Sequence, residues 1–441
     1  MDQRDATTEP AATPAPNLSK RDRRRIAVAS FSGTLIEFYD FQIYGTAAAL
    51  VFPHVLFPAL GTAAGTLASI ATFGVAFVAR PIGSVLFGHF GDRIGRKRTL
   101  VSTLLLMGGS TVVVGLVPTA AQVGVAAPIL VTLLRVVQGL AAGGEWAGAA
   151  LFAGESAPKE KRGFWGMFPQ LGGNSAILLV NATFLLTAVS MSNATFLSWG
   201  WRIPFLASAV LVGVGLWVRM KLEETPVFTK EIEQKGEAKL PFSEVLKQQP
   251  RALFLATGAS LTIFVYYYLW TVYLAGYAVN TLHLTRIFVL ELGLAAGALL
   301  VLVTVFSGML ADRVGRRTVV GWANVAGAVF GFVLFPLLEL EPKLALTIAF
   351  CVMAVIAGVH YAPLGAFIPE LFRTRYRYTA SGIAYALSSL VGGTLVPLLA
   401  PVIIGGLGSF AMGCFVALLC VVATACTFAL PETRNTDLDH V

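Results

Sequence analysis

The sequence is short of charge. Only 13% of its 441 residues are Asp, Glu, Lys or Arg, while 56% are hydrophobic and the mean hydropathy is +0.74. Soluble domains carry about 25% charged residues. The deficit excludes a soluble enzyme and makes lipid the solvent for most of the chain. Cysteine is scarce as well: Cys351, Cys414, Cys420 and Cys426 all lie in apolar segments. The last three are spaced six apart, which converges no ligands along a helix. A metal site is excluded, and the cysteines are small hydrophobes in packed helices. No Gly-Lys dipeptide occurs, so there is no Walker A loop to cradle a nucleotide, and ATP-driven work is disfavoured. The net charge of +8 does not form one basic surface. It is dispersed between apolar segments, which speaks against a nucleic-acid partner.

Long apolar runs fill the chain instead. A helix needs about 20 apolar residues to cross the hydrocarbon core. Twelve such runs lie near 26–51, 64–90, 99–117, 124–152, 163–189, 199–219, 252–279, 286–311, 318–338, 344–369, 379–404 and 408–430. Residues 1–19, rich in Pro, Ala and Thr, have the composition of an unpacked tail. The run after Lys20–Arg25 is too long for a signal-peptide core and no cleavage site follows it, so it is a retained first helix. The expected fold class is all-α integral membrane, with twelve transmembrane helices in two six-helix pseudo-repeats. The expected boundaries are a cytoplasmic tail 1–25, a six-helix bundle 26–219, a cytoplasmic linker 220–250, a second six-helix bundle 251–430 and a cytoplasmic tail 431–441. Of the 32 Lys and Arg residues, 27 fall on the side that holds both termini. That asymmetry makes this side the cytoplasm.

The two halves share a signature. Gly88-His89-Phe90-Gly91-Asp92-Arg93-Ile94-Gly95-Arg96-Lys97 returns as Gly308-Met309-Leu310-Ala311-Asp312-Arg313-Val314-Gly315-Arg316-Arg317, 220 residues later. Both read G-x3-D-R-x-G-R-[KR]. Glu155 after the fourth run matches Glu370 after the tenth, and Glu223-Glu224-Thr225 after the sixth matches Pro431-Glu432-Thr433 after the twelfth. With these motifs the whole chain resembles the major facilitator superfamily. Glu37–Phe41, Arg80–Gly83, Arg135–Gly139, Gly143–Trp146 and Trp199–Phe205 narrow the resemblance to its metabolite:proton symporter family. The segments Gly144–Trp146 and Leu197–Arg202 are similar to the shikimate-transporting branch. About ten residues follow the last run, with no long coiled-coil tail as in the osmosensing proline/betaine branch.

A charge at the centre of a membrane helix costs at least about 2.5–3.5 kcal/mol on insertion scales, so each one needs a reason. By helix rise, Glu37 and Asp40 lie about 18–22 Å in from Arg25, and Arg80 about 18 Å from Asp92. With Arg135 and His360 they form a slab near the midplane, where transporters bind substrate. Glu37, Asp40 and Tyr44 share a helix face by their spacing. Asp40 is the first candidate for a proton-coupling carboxylate and Glu37 the second; the rival reading is a permanent ion pair with Arg80. His360 titrates near neutral pH and is either a further proton site or a hydrogen-bonded interior histidine.

A guanidinium offers a rigid fork for a carboxylate. Arg135 is either the substrate's anchor or is neutralised by Asp40 or Glu37. Gln138 shares its face. Arg80, set before the kinking Pro81, divides in the same way between substrate contact and structure. Gln170 and Asn174, with Asn181, either line a cavity or bridge helices. Tyr44, Tyr266, Trp270, Tyr273 and Tyr385 complete the expected substrate set. Gly88, Asp92, Arg93, Gly95, Arg96 and Glu155 form one expected charge cluster, and Asp312, Arg313, Arg316 and Glu370 its twin. Together they are expected to lock the outward-facing state.

The resemblance implies proton-coupled uptake of a small organic acid, shikimate-like or another carboxylate, by alternating access. The alternatives are a proton-coupled exporter of drugs or metabolites and a betaine/proline-type symporter. No cofactor beyond the proton gradient and no enzymatic activity are expected. The expected partners are the solute, protons and the lipid bilayer, with a monomer in the inner (plasma) membrane.

Overall fold

The structure, a computed structural model, describes residues 20–94, 96–155, 157–220, 241–338, 340–373 and 376–434. The side chains of 88–98 and of Glu155 fall outside it, and with them the first copy of the repeated turn: Gly88, Asp92, Arg93, Gly95, Arg96 and Glu155. No strand occurs among the described residues. Among the described residues, twelve long helices follow the twelve apolar runs. They are α1 (Lys20–Leu50), α2 (Gly61–Ile94), α3 (Arg96–Leu116), α4 (Ala126–Ala142, resuming as Glu145–Glu155), α5 (Arg162–Val189) and α6 (Ile203–Met220). The second half holds α7 (Pro250–Asn280), α8 (Arg286–Val314), α9 (Arg316–Leu338), α10 (Pro342–Glu370), α11 (Arg377–Leu407) and α12 (Ser409–Ala429). A short helix, Pro241–Gln248, precedes α7 inside the expected linker.

Sequence explains several of the helix ends. Thr285 accepts from the Phe288 amide at 3.3 Å to start α8, and Glu341, followed by Pro342, accepts from the Leu344 amide at 2.7 Å to start α10. These are ordinary N-caps that satisfy otherwise orphaned donors. The repeated turn is legible too. Gly315 sits between α8 and α9 at φ 110, a region that favours glycine. A Cβ there would also strike the Glu432 carboxylate. The Trp199–Arg202 motif closes the opposite side: Arg202 donates to the carbonyls of Ser198 and Val117 at 3.0 Å each. It thereby caps the exit of α3, whose last carbonyls have no partner within the helix.

Large apolar side chains stand exposed along the outer helices, among them Leu105 on α3, Val210 on α6, Trp322 on α9 and Leu418 on α12. Surfaces of that extent suit lipid contact. The inner crossing of α2 and α4 is close because of glycine. A Cβ at Gly139 would collide with the Ala76 backbone, one at Gly143 with the Arg80 carbonyl, and one at Gly83 with the Leu140 carbonyl. That contact brings Arg80 and the middle of α4 to one wall.

Candidate functional site

Arg135 is fully buried, at 0% exposure. Its guanidinium carbon lies 3.9 Å from the ring centre of Phe41, 4.3 Å from Tyr44 and 4.8 Å from Phe73. One nitrogen donates to Gln138 Oε1 at 2.9 Å, and Gln138 in turn donates to Thr111 at 2.8 Å. Tyr44 is fixed by its hydroxyl, which donates to Thr72 at 2.8 Å. Nε and Nη2 of Arg135 have no hydrogen-bond partner, and no carboxylate among the described residues lies within ion-pair distance. The ring faces offset part of the cost of burying the cation, each contributing about 0.5–2 kcal/mol. They do not supply a counter-charge. Of the two readings of Arg135, internal neutralisation by Asp40 or Glu37 does not describe this geometry.

Arg80 also sits on Phe41, at 4.1 Å, and on Phe77, at 5.0 Å. With Glu37 it lines a small cavity whose other walls include Gly143, Trp146, Gly382 and Tyr385. The cavity measures about 10 Å³, room for about one water. Trp146 of α4 and Tyr385 of α11 are stacked across it, ring centres 3.8 Å apart and planes 10° apart. Trp146 donates to Gln170 Oε1 at 3.2 Å, and the Tyr385 and Tyr361 hydroxyls share a hydrogen bond of 2.8 Å. Tyr268 of α7 bridges the halves by packing on Phe73 and Phe77 at 5.6 and 5.0 Å.

Several expected residues stand elsewhere. Asp40, at 0% exposure, does not share the cavity with Glu37. It accepts a hydrogen bond from Ser208 of α6 and faces Gly108 of α3, while its Oδ2 has no hydrogen-bond partner. Of the three residues expected on one face, Glu37 and Tyr44 look towards the arginines and the cavity, while Asp40, about 60° round the helix from Glu37, is turned to α3 and α6. Tyr266 points away from the cavity and donates to the Gly327 carbonyl of α9 at 2.5 Å. Trp270 packs on Phe350 of α10 and Tyr273 on Tyr277. None of these three lines the cavity. Tyr268, about 200° round the regular helix from Tyr266, faces α2 instead, and a π-helical turn follows it at Leu269–Leu274. His360 lies inside the second half, with Nε2 3.0 Å from the Ala259 carbonyl. Asn174 bridges the halves, donating to Thr304 of α8 at 2.8 Å, whereas Asn181 donates to the Ile177 carbonyl of its own helix.

The model of the family described as Major Facilitator Superfamily matches residues 30–397 and 297–440. The chain belongs to the major facilitator superfamily. It is a multi-pass membrane transporter and not an enzyme. Among curated superfamily proteins it is 42% identical over 426 residues to the inner membrane metabolite transport protein YhjE of Escherichia coli K12, covering 94% of this chain and 96% of that protein. It is 40% identical over 390 residues to the shikimate transporter of the same organism, covering 88% and 89%. Among solved superfamily structures, that of a D-xylose-proton symporter superposes with a TM-score of 0.73 at 18% identity, covering 94% of this chain and 99% of that one.

In this superfamily member the halves touch on both sides of the cavity. On the face holding the chain ends, α5 starts without a cap from its own neighbourhood. Asp312 of α8 supplies one from the other half, accepting from the Gly163 and Phe164 amides at 2.8 Å each. Arg316 lies 3.4 Å from Asp312 and 3.3 Å from Glu370, which also accepts from Thr433 at 2.5 Å. Arg313 is not part of this cluster through its side chain, which is exposed. Only its carbonyl takes part, accepting from Arg434 at 2.5 Å. Tyr378 of α11 donates to the Gly144 carbonyl of α4. On the opposite face, Thr394 donates to the Gly74 carbonyl at 3.0 Å and Arg286 to Asn193 at 2.7 Å. The halves are thus joined on the opposite face as well as on the face of the repeated turn.

Proposed function

We propose that the protein is a proton-coupled symporter that takes up a small organic acid, shikimate-like or another carboxylate metabolite, by alternating access. The observation that carries this reading is Arg135, a fully buried cation with two unpartnered nitrogens and no neighbouring carboxylate among the described residues. A buried charge left unpaired is costly, and a carboxylate solute supplies both the missing charge and the missing acceptors. The aromatic faces around Arg135 could otherwise hold a quaternary ammonium, but the protein's own cation occupies them. This favours an organic anion over a betaine-type solute. The names of the relatives, a metabolite transport protein and a shikimate transporter, agree with that class.

In the proposed cycle the bundles 26–219 and 251–430 rock about the cavity. The transporter works as a monomer in the inner membrane, with both termini cytoplasmic. Asp312 of α8, capping the start of α5, is the cytoplasmic latch, and the first copy of the turn plays the corresponding role. Asp40 carries the coupled proton, because it has no ion pair to break on taking up or releasing one. Glu37, at the cavity, senses the solute. Uptake of labelled shikimate into proteoliposomes is expected to follow an imposed pH gradient and to collapse with a protonophore. Uptake indifferent to both would reject symport.

A further inference from the structure

The two halves each bring one ring to the cavity. Trp146 and Tyr385 lie face to face, centres 3.8 Å apart, and each is tethered only within its own half. Gln170 of α5 holds the Trp146 indole N–H and Tyr361 of α10 holds the Tyr385 hydroxyl. When the halves part, the tethers keep both ring planes in orientation while the faces separate. The helices beside the rings carry small residues, Gly143 and Ala147 on α4 and Gly382 and Ala386 on α11, and all four line the cavity. With the rings in contact only about 10 Å³ is left. The stack therefore occupies the space that a solute beside Arg80 must take.

We infer that the Trp146–Tyr385 pair is a collapsed slot that opens to clasp the face of a six-membered ring, so that the transported acid is a ring-bearing carboxylate. This rests on the proposed anion site. Contact distances of about 3.5–4.0 Å on each side put the open slot at roughly 7–8 Å between ring centres. A ring inserted there restores a face contact to both aromatics, with its carboxylate directed to the arginines. An acyclic acid of equal charge leaves the two faces unmatched or lets them restack.

Binding to the purified full-length protein separates the two ideas. Shikimate, quinate, benzoate and cyclohexanecarboxylate are compared with heptanoate, succinate and 2-oxoglutarate by titration calorimetry. The best ring acid is expected to bind about tenfold tighter than any acyclic one, and Trp146→Leu or Tyr385→Leu to weaken it about five- to tenfold while leaving the acyclic acids within twofold. Trp146→Phe, which keeps a ring, is expected to retain most of the preference, and thermal melts report whether each variant is folded. Equal binding of ring and acyclic acids, or an equal loss of both in the leucine variants, overturns the slot, as does the absence of binding by every ring acid. If Arg135→Gln leaves all affinities intact while the leucine variants still discriminate, the anion anchor is wrong and the slot stands.

Discussion

Replacing Asp312 by Asn tests the cytoplasmic latch on a contact whose strength can be worked out. The carboxylate accepts two backbone N–H groups of α5 at 2.8 Å each and faces Arg316 at 3.4 Å. Hydrogen bonds to a charged group contribute about 1.5–3 kcal/mol each, and a negative charge at a helix N-terminus about 0.3–2 kcal/mol. Asparagine keeps one carbonyl acceptor and loses the charge, so the closed state loses about 2 kcal/mol. That is about a thirtyfold shift towards opening on this face. Ala147 is buried beside Gly382 and serves as the reporter. In a background without the four native cysteines, Ala147→Cys should react with an impermeant maleimide up to about thirtyfold faster from the cytoplasmic side when Asp312→Asn is added. Uptake should fall while the melting temperature changes little. An unchanged labelling rate together with unchanged uptake would refute the latch.

Other substitutions probe the rest of the account. Arg135→Lys keeps the charge but loses the fork, and should raise the KM for a carboxylate by about tenfold or more in uptake assays. Asp40→Asn keeps an acceptor for Ser208 and should abolish accumulation driven by a pH gradient while sparing solute exchange, measured by counterflow; lost exchange would mean a structural role. Phe41→Leu removes the ring face shared by Arg80 and Arg135 and should destabilise the protein by about 1–3 kcal/mol, read as a lowered Tm in detergent. Gly143→Val drives a side chain into the Arg80 carbonyl and should cost about 1–3 kcal/mol or more, seen as lost folded yield.

Much of the scaffold could be read from the chain because its signals are local. Apolar runs of helix-spanning length, the basic asymmetry and the repeated turn require no knowledge of packing. Gly315 illustrates this: a Gly between Asp-Arg and Arg-Arg announces a left-handed turn, and its φ is 110. Arg80 and Arg135 stood out because a guanidinium in an apolar run is expensive. The site's other half was hidden because it depends on rotation and on contacts across the chain. Glu37 and Asp40 are three residues apart, yet one faces the cavity and the other Ser208. In α7 the expected Tyr266, Trp270 and Tyr273 turn away from the cavity while Tyr268 faces α2, a rotation that composition alone does not reveal, and the π-helical turn that follows is a feature frequent at functional sites. Trp146 was visible only as part of a family motif, since its partner Tyr385 lies in the other half.

Proton movement driven by the solute tests the central claim most directly. Proteoliposomes holding a trapped pH dye are given an inward solute gradient of shikimate with no initial pH difference. The account predicts internal acidification with the wild type, none with Arg135→Gln and none with empty vesicles. Solute entry without acidification, or equal acidification with Arg135→Gln, would contradict it.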